Sequence, residues 1–94
     1  MRKYECLYII DADLEEEAIQ AVVDKYSALL EKNGCEEINV DAWGKRRLAY
    51  EIRKKREGYY VLMEYAGPAD FVSELERLMR IDEKVMKYLV TKRD

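Results

Sequence analysis

The sequence contains no histidine among its 94 residues. Histidine is the commonest general base and the commonest metal ligand in proteins. Its absence excludes Ser-His and Cys-His catalysis, and histidine-based zinc sites, from this chain alone. Acidic residues are numerous but scattered, mostly at the starts and on the surfaces of predicted helices. We therefore expect no catalytic residues, no metal site and no cofactor.

Cysteine, proline and glycine are also scarce, with two, one and four residues respectively. Cys6 and Cys35 lack the C-x-x-C spacing and are too few for a disulfide framework, so we predict two buried thiols; a disulfide would require their backbones to lie close. The isolated glycines exclude a glycine-rich phosphate loop. No apolar run approaches the roughly 20 residues that span a bilayer, and no signal peptide is recognisable. These absences predict a cytoplasmic protein.

Basic residues are concentrated in one short segment of an acidic chain. The formal net charge is −3, yet seven of the seventeen Lys and Arg residues lie between Lys45 and Arg56, where Glu51 is the one acid. A local excess opposed to its background indicates a contact surface for phosphates or for an acidic partner. A solvated strand edge is the alternative, because lysine and arginine also keep exposed edges from pairing with other chains.

The periodicity of apolar residues predicts four strands and two helices. We expect Asp13 to cap the first helix, Asn33-Gly34 to end it, and Pro68 to lie in the first turn of the second helix. Gly44, inside the long second strand, predicts a bulge or bend. The predicted elements are a strand over 3–10, a helix ending at 33–34, a strand over 36–53, a hairpin turn over 53–58, a strand over 59–66, a helix from 67–68 and a strand over 85–91.

The order βαββαβ predicts a single α+β domain, residues 1–94, with the ferredoxin-like arrangement. In that fold a four-stranded antiparallel sheet has the order 4-1-3-2 and both helices lie on one face. Two charge clusters are then expected at opposite ends of the sheet. One brings the hairpin cations at 53–56 near the acids Asp11, Asp13, Asp82 and Glu83. The other is a basic cluster of Arg2, Lys3, Lys92 and Arg93.

Alternation along the central strands leaves an apolar patch on the face away from the helices. If Tyr4, Cys6, Tyr8 and Ile10 contact the helices, the residues between them point the other way. Such a patch on a small protein usually marks a binding surface, unless side chains of neighbouring strands cover it. The predicted partner patch consists of Leu7, Ile9, Tyr60 and Leu62.

Other functions of this fold can be weighed on the sequence. An acylphosphatase-like hydrolase needs a phosphate-cradling loop after the first strand, where Asp11-Ala12-Asp13 would repel an anion. An RNA-recognition motif needs paired stacking residues on the third strand, but Tyr60 occupies its small-residue position and Val61 its second stacking position. A free-standing RNA-binding or dimerising ferredoxin-like module is the remaining alternative.

The central basic run resembles the signature of a known family. The run from Trp43 to Ile52 reads WGKRRLAYEI and is followed by Lys54 and by Gly58-Tyr59-Tyr60. The opening MRKYE and the segment LMRIDEKV, residues 78–85, add to the similarity. Together these motifs, which extend over essentially the whole chain, resemble the bacterial small-subunit ribosomal protein six family.

The resemblance implies a non-enzymatic, structural component of the small (30S) ribosomal subunit. It implies binding to the central domain of the 16S ribosomal RNA together with small-subunit ribosomal protein eighteen, which is basic, and it implies the same βαββαβ fold. The expected RNA-binding residues are Arg2, Lys3, Arg46, Arg47, Arg80, Lys87 and Lys92. Four further cations are expected to contact RNA or protein, namely Lys45, Arg53, Lys54 and Arg56. The apolar patch, with the long edge strand, is expected to dock protein eighteen.

Overall fold

Four strands and two helices follow one another in the predicted order in a computed structural model that describes residues 1–93. The elements are β1 (Arg2–Asp11), α1 (Glu16–Lys32), β2 (Glu36–Ile52), β3 (Lys55–Gly67), α2 (Phe71–Ile81) and β4 (Val85–Lys92). The sheet has the order β2-β3-β1-β4, and every neighbouring pair is antiparallel. This is the predicted order 4-1-3-2, so the ferredoxin-like fold is confirmed.

The core lies between the helices and one face of the sheet, which we call the helix face. The side chains of Tyr8, Ile10, Val61 and Met63 are completely buried there, as alternation along the strands predicts. Tyr26 of α1 packs edge-on against Tyr8, with ring centroids 5.5 Å apart. The other side of the sheet, the open face, has no helix over it within residues 1–93.

Both cysteines are buried and free, as predicted. The Cys6 thiol donates a hydrogen bond to the Met79 sulfur at 3.7 Å, inside the core. Burial, with a smaller contribution from Glu76, raises the pKa of the Cys6 thiol to about 12. Burial also raises the pKa of Cys35. Neither group forms the reactive thiolate at neutral pH, so both act as small apolar side chains.

The start of α1 differs from the prediction. Glu15, not Asp13, is the N-cap residue, and it makes no side-chain capping bond. The Asp13 backbone N–H donates instead to Asp11 Oδ1 at 3.0 Å, and the Asp13 carboxylate accepts a hydrogen bond from Lys55 Nζ at 2.5 Å. Asp13 was the wrong cap because its side chain pairs with a distant lysine. The predicted end is confirmed, since Gly34 follows the helix with φ of 76°.

The start of α2 was also predicted a few residues too early. Pro68 lies before the helix, and its carbonyl accepts a hydrogen bond from the Phe71 backbone N–H at 3.2 Å. Asp70 is the N-cap residue. Proline therefore forms the turn that leads into the helix rather than its first turn.

A bulge in β2 is confirmed, and it changes which face the following residues occupy. The register with β3 shifts between Ala42 and Gly44, and Gly44 has φ of 89°. One extra residue of this kind moves every following side chain of the strand to the face opposite the one that regular alternation would give it. Val40 thus packs into the core on the helix face, whereas Leu48 packs on the open face.

The predicted hairpin turn over 53–58 is wrong, because β3 begins at Lys55. Ile52 pairs with Lys55, so the turn contains only Arg53 and Lys54, whose φ values are 52° and 64°. Two left-handed residues are the mark of a two-residue hairpin turn. Because β1 ends opposite Gly58, residues 47–57 extend past the sheet as a two-stranded ribbon, here called the arm.

The arm bends back across the open face and contacts β1 and β4. Leu48 forms a small buried cluster with Ile9 and Met86. At the tip, Arg53 donates hydrogen bonds to two backbone carbonyls, from Nη1 to Glu83 at 2.8 Å and from Nη2 to Val85 at 3.3 Å. The open face is therefore divided into a part that the arm covers and a part that stays accessible.

Candidate nucleic-acid interface

An aromatic and cationic cluster lies on the outer half of the open face. The Trp43 indole stacks on the Tyr60 ring, with centroids 6.3 Å apart and planes only 9° from parallel. The Arg46 guanidinium lies over the indole, 5.3 Å from its centroid. Trp43 Nε1 donates to Asp41 Oδ2 at 3.2 Å, which fixes the orientation of the ring. In the sequence Trp43 stands out only as the first residue of the WGKRRLAYEI run, and its neighbour on β3, Tyr60, could not be identified without the register.

A second pairing of cation and aromatic ring lies farther across the same face. Lys87 of β4 places its ammonium 4.8 Å from the centroid of the Tyr50 ring and donates a hydrogen bond to the Tyr50 hydroxyl. Tyr50 belongs to the arm and is 60% exposed, although it is a large aromatic residue. Arg46 and Lys87, two of the predicted RNA contacts, thus share the open face with exposed aromatic rings.

Three further predicted contacts gather at the opposite end of the sheet. Arg2 and Lys3 begin β1, and Lys92 ends β4 opposite Tyr4. All three cations are exposed. The predicted fourth member, Arg93, bonds to Glu64 and lies 3.9 Å from Glu5, so its charge is largely compensated within the chain. This end can contact phosphates through three cations rather than four.

The remaining predicted RNA contacts lie away from the open face. Arg80 is in the last turn of α2, where its Nε donates to the Tyr88 hydroxyl at 3.3 Å. Arg47 points to the face opposite Arg46, since side chains alternate along a strand. Lys45 lies beside Tyr59 of β3, and both residues are close to the first turns of α1. The structure therefore does not bring all the predicted contacts into one surface.

The arm cations are mostly engaged with the chain itself, as the predicted topology implied. Lys55 Nζ lies 3.1 Å from Asp11 and 2.5 Å from Asp13. Arg53 is held by two backbone carbonyls, and Arg56 lies 3.6 Å from Glu51. Lys54, at the tip, is exposed.

These contacts set the charge state at the base of the arm. Burial raises the pKa of Asp11, but the Asp13 backbone N–H and the Lys55 ammonium outweigh it, so the pKa of the carboxyl lies below its usual value. Asp11 therefore stays ionised at neutral pH. The base of the arm is an internal ion-pair site, and the exposed cations are the better candidates for phosphate contact.

The predicted partner patch is smaller than alternation suggested. Ile9 points to the open face as predicted, but it is only 6% exposed because Leu48 and Met86 cover it. Tyr60 lies against Trp43. Leu7 and Leu62 stay half-buried side by side, and Leu89 pairs with Leu7 and is 58% exposed. We call Leu7, Leu62 and Leu89 the leucine strip.

Residues 1–93 contain no group of three His, Cys, Asp or Glu side chains that could hold a metal ion. None of the helices in that range is long and apolar enough to span a membrane.

Comparison with known proteins identifies the family. Residues 3–92 match the model of the family described as ribosomal protein S6. The small ribosomal subunit protein bS6 of Desulfitobacterium hafniense is 47% identical over 94 residues, covering 100% of this chain and 99% of the relative. The bS6 protein of Moorella thermoacetica is 49% identical over 92 residues, covering 98% and 94%.

A solved structure has the same fold. The crystal structure of 30S ribosomal protein S6 from Thermotoga maritima superposes with a TM-score of 0.91 at 28% identity, covering 98% of this chain and 87% of that one. The resemblance drawn from WGKRRLAYEI and the flanking motifs is confirmed, as is the expected location in the cytoplasm with the small ribosomal subunit. The chain belongs to the ribosomal protein S6 family.

Proposed function

We propose that this protein is a structural, non-enzymatic component of the small ribosomal subunit that binds the central domain of the 16S ribosomal RNA together with small-subunit ribosomal protein eighteen. The observation that carries the proposal is the open face of the sheet. Exposed cations lie beside aromatic rings near both outer strands, Arg46 with Trp43 on β2 and Lys87 of β4 with Tyr50 of the arm, and the leucine strip crosses the centre. The face thus offers cations and aromatic rings to RNA and an adjoining apolar strip to a protein.

RNA binding rests on exposed cations that are not paired with any acid among residues 1–93. Arg46 and Lys87 lie on the open face, and Arg2, Lys3 and Lys92 lie at the end of the sheet. Each phosphate contact releases condensed counterions and fixes the position of the protein on the RNA. Such contacts carry little sequence information, so the shape of the folded RNA and the partner protein supply the specificity.

Docking of protein eighteen rests on the leucine strip and on the acids beside it. Glu5 pairs with Glu64 across β1 and β3, next to Leu7 and Leu62; the two carboxylates share one cation, Arg93, so a net negative charge flanks the strip on the open face. The chain as a whole has a formal net charge of −3. An acidic rim around an apolar centre suits a basic partner and lowers the repulsion between two proteins that bind the same RNA.

Reversing the charges of Arg46 and Arg47 tests the RNA contact. The Arg46→Glu/Arg47→Glu variant is expected to bind the central-domain fragment of 16S ribosomal RNA at least about tenfold more weakly, with a smaller salt slope, because phosphate contacts are lost. Filter binding over a range of salt concentrations, with protein eighteen present, measures both quantities. Because Arg46 and Arg47 lie on opposite faces of β2, the two single variants show how much of the loss in RNA affinity comes from each face.

The matched control reverses two exposed cations of the helix layer, in the variant Lys32→Glu/Arg77→Glu. This control should keep the salt slope of the parent protein. An unaltered slope in the Arg46→Glu/Arg47→Glu variant would remove both residues from the phosphate contacts. Absence of the parent chain from small subunits after sedimentation would contradict the proposed function as a whole.

A charge placed in the leucine strip tests the protein contact. Leu62→Glu is expected to weaken binding of protein eighteen by about tenfold or more, because a carboxylate would be desolvated in the interface. Titration calorimetry of the two proteins measures the affinity. Ile81→Glu is the control, since Ile81 is 64% exposed and lies at the end of α2, away from the strip. Unchanged affinity for the Leu62→Glu variant would show that protein eighteen docks elsewhere.

A further inference from the structure

We propose that Trp43 and Arg46 form a stacking site for one unpaired nucleobase of the bound RNA. The inference rests on the proposed function, because it assumes that the open face meets RNA. It adds a contact of a different kind to the phosphate contacts described above. An unpaired base would lie with its plane against the exposed part of the Trp43–Arg46 pair.

The geometry holds both groups ready for a planar ligand. Trp43 is clamped by its stack on Tyr60 and by the hydrogen bond from Nε1 to Asp41, yet 38% of it is exposed. Arg46 keeps its guanidinium over the indole and is itself exposed. A site whose side chains are already ordered loses little conformational entropy when a ligand binds.

The chemistry of the pair suits a base next to a phosphate. Aromatic rings and guanidinium planes are the two surfaces on which proteins stack unpaired RNA bases. Stacking tolerates any base, because every base has a π face. Arg46 can stack and also donate hydrogen bonds to the adjacent phosphate, since its guanidinium carries five N–H groups.

RNA fits this site better than the partner protein does. Trp43 lies on β2, which is the outer strand on one side of the sheet, whereas Leu89 lies on β4, the outer strand on the other side. The leucine strip thus begins where the aromatic stack ends. Arg46 places its guanidinium over the indole while Asp41 is occupied by the indole N–H, so the group left to bind a ligand is a donor that suits the phosphate of a nucleotide.

Trp43 reports on its own contact, because it is the one tryptophan of the chain. Its fluorescence should be quenched when the central-domain fragment of 16S ribosomal RNA binds in the presence of protein eighteen. The same titration with the Trp43→Phe variant gives the fluorescence change that does not come from Trp43. Subtracting it from the change of the parent protein leaves the change in Trp43 emission. RNA binding with unchanged Trp43 emission would overturn the stacking site while leaving the proposed function standing. Equal quenching by protein eighteen alone would also overturn it.

Affinity as a function of salt separates stacking from charge. Trp43→Leu should weaken RNA binding about tenfold at every salt concentration with the slope unchanged, because stacking releases no counterions. Trp43→Phe retains a ring and should lose less. Lys92→Glu, which reverses an exposed cation outside the stacking site, should instead reduce the slope. If the Trp43→Leu variant bound RNA with the affinity of the parent protein, or with a reduced salt slope, the stacking site would be overturned. If the parent chain did not bind the RNA at all, both the site and the proposed function would be overturned. Thermal melting verifies that each variant is folded.

Discussion

Replacement of Asp82 with alanine is expected to lower the free energy of unfolding by about 2–3 kcal/mol, and Tm by on the order of 10 °C. Asp82 follows α2 and accepts three hydrogen bonds, from the Tyr26 hydroxyl at 2.6 Å, from Lys25 Nζ at 3.1 Å and from the Lys84 backbone N–H at 3.0 Å. Its side chain is only 9% exposed. Truncation would leave the buried Tyr26 hydroxyl without its acceptor, which costs more than the lost bond alone.

The same carboxylate makes stability depend on pH. Burial raises the pKa of Asp82, but the hydrogen bonds from Tyr26 and Lys84 and the Lys25 ammonium outweigh it, so the pKa lies below its usual value. A carboxyl with a lowered folded-state pKa contributes stability above its unfolded pKa, about 4, and loses it as the pH falls through the folded value. The difference in stability between the parent and Asp82→Asn should therefore be constant above about pH 5 and shrink below about pH 4.

Urea unfolding at several pH values measures both effects. Glu83→Ala is the matched control, since Glu83 is an exposed neighbour whose side chain has no hydrogen bond or ion pair among residues 1–93. Its effect should stay within about 0.5 kcal/mol. Adding Tyr26→Phe to Asp82→Ala should cost less than the two single changes together, because both remove one interaction. Full additivity would show that Asp82 does not stabilise the protein through Tyr26.

Adding a single methyl group at Gly58 is expected to destabilise the protein by about 1–3 kcal/mol. A Cβ atom at Gly58 would lie 2.3 Å from Ile9 Cγ2 and 3.2 Å from Leu48 Cδ2. Ile9 is itself buried beneath the arm, where it packs against Leu48 and Met86. The Gly58→Ala change should therefore push the arm away from β1, which makes amides of the arm exchange faster with solvent.

A double mutant separates this clash from a general intolerance of alanine. Ile9→Ala removes the methyl group that the new Cβ would meet, so Gly58→Ala should cost much less in that background than in the parent protein. Urea unfolding of the four proteins in the cycle gives the coupling energy. An equal cost in both backgrounds would show that the contact with Ile9 does not require glycine at this position.

The fold could be predicted because each pattern in the sequence agrees with its neighbours. Alternation in β1 and β3 places Tyr8 and Met63 on the face that becomes the core, and both side chains are fully buried there. Gly34 and the bulge at Gly44 were recognisable because their conformations favour glycine. Family membership was predictable for another reason, since the run from Trp43 to Ile52 is a continuous signature.

The arm and the aromatic stack could not be predicted. A two-residue hairpin turn is recognised by Asn-Gly or Asp-Gly, and here Arg53 and Lys54 adopt positive φ instead. Gly58 looked like a turn residue but serves to let the arm approach β1. The stack of Trp43 on Tyr60 depends on the register across the bulge, which no property of either residue determines. The RNA and protein contacts themselves stay predictions.

The irregular course of β2 also bears on how the isolated protein behaves in solution. As an outer strand of 17 residues, β2 could offer a long row of unpaired backbone groups to other copies. Its register instead shifts after Glu36 and after Ala42, and Glu37 has φ of 53°. A template broken in this way pairs poorly with a regular strand, so we expect the bulges to disfavour edge-to-edge aggregation of the free protein.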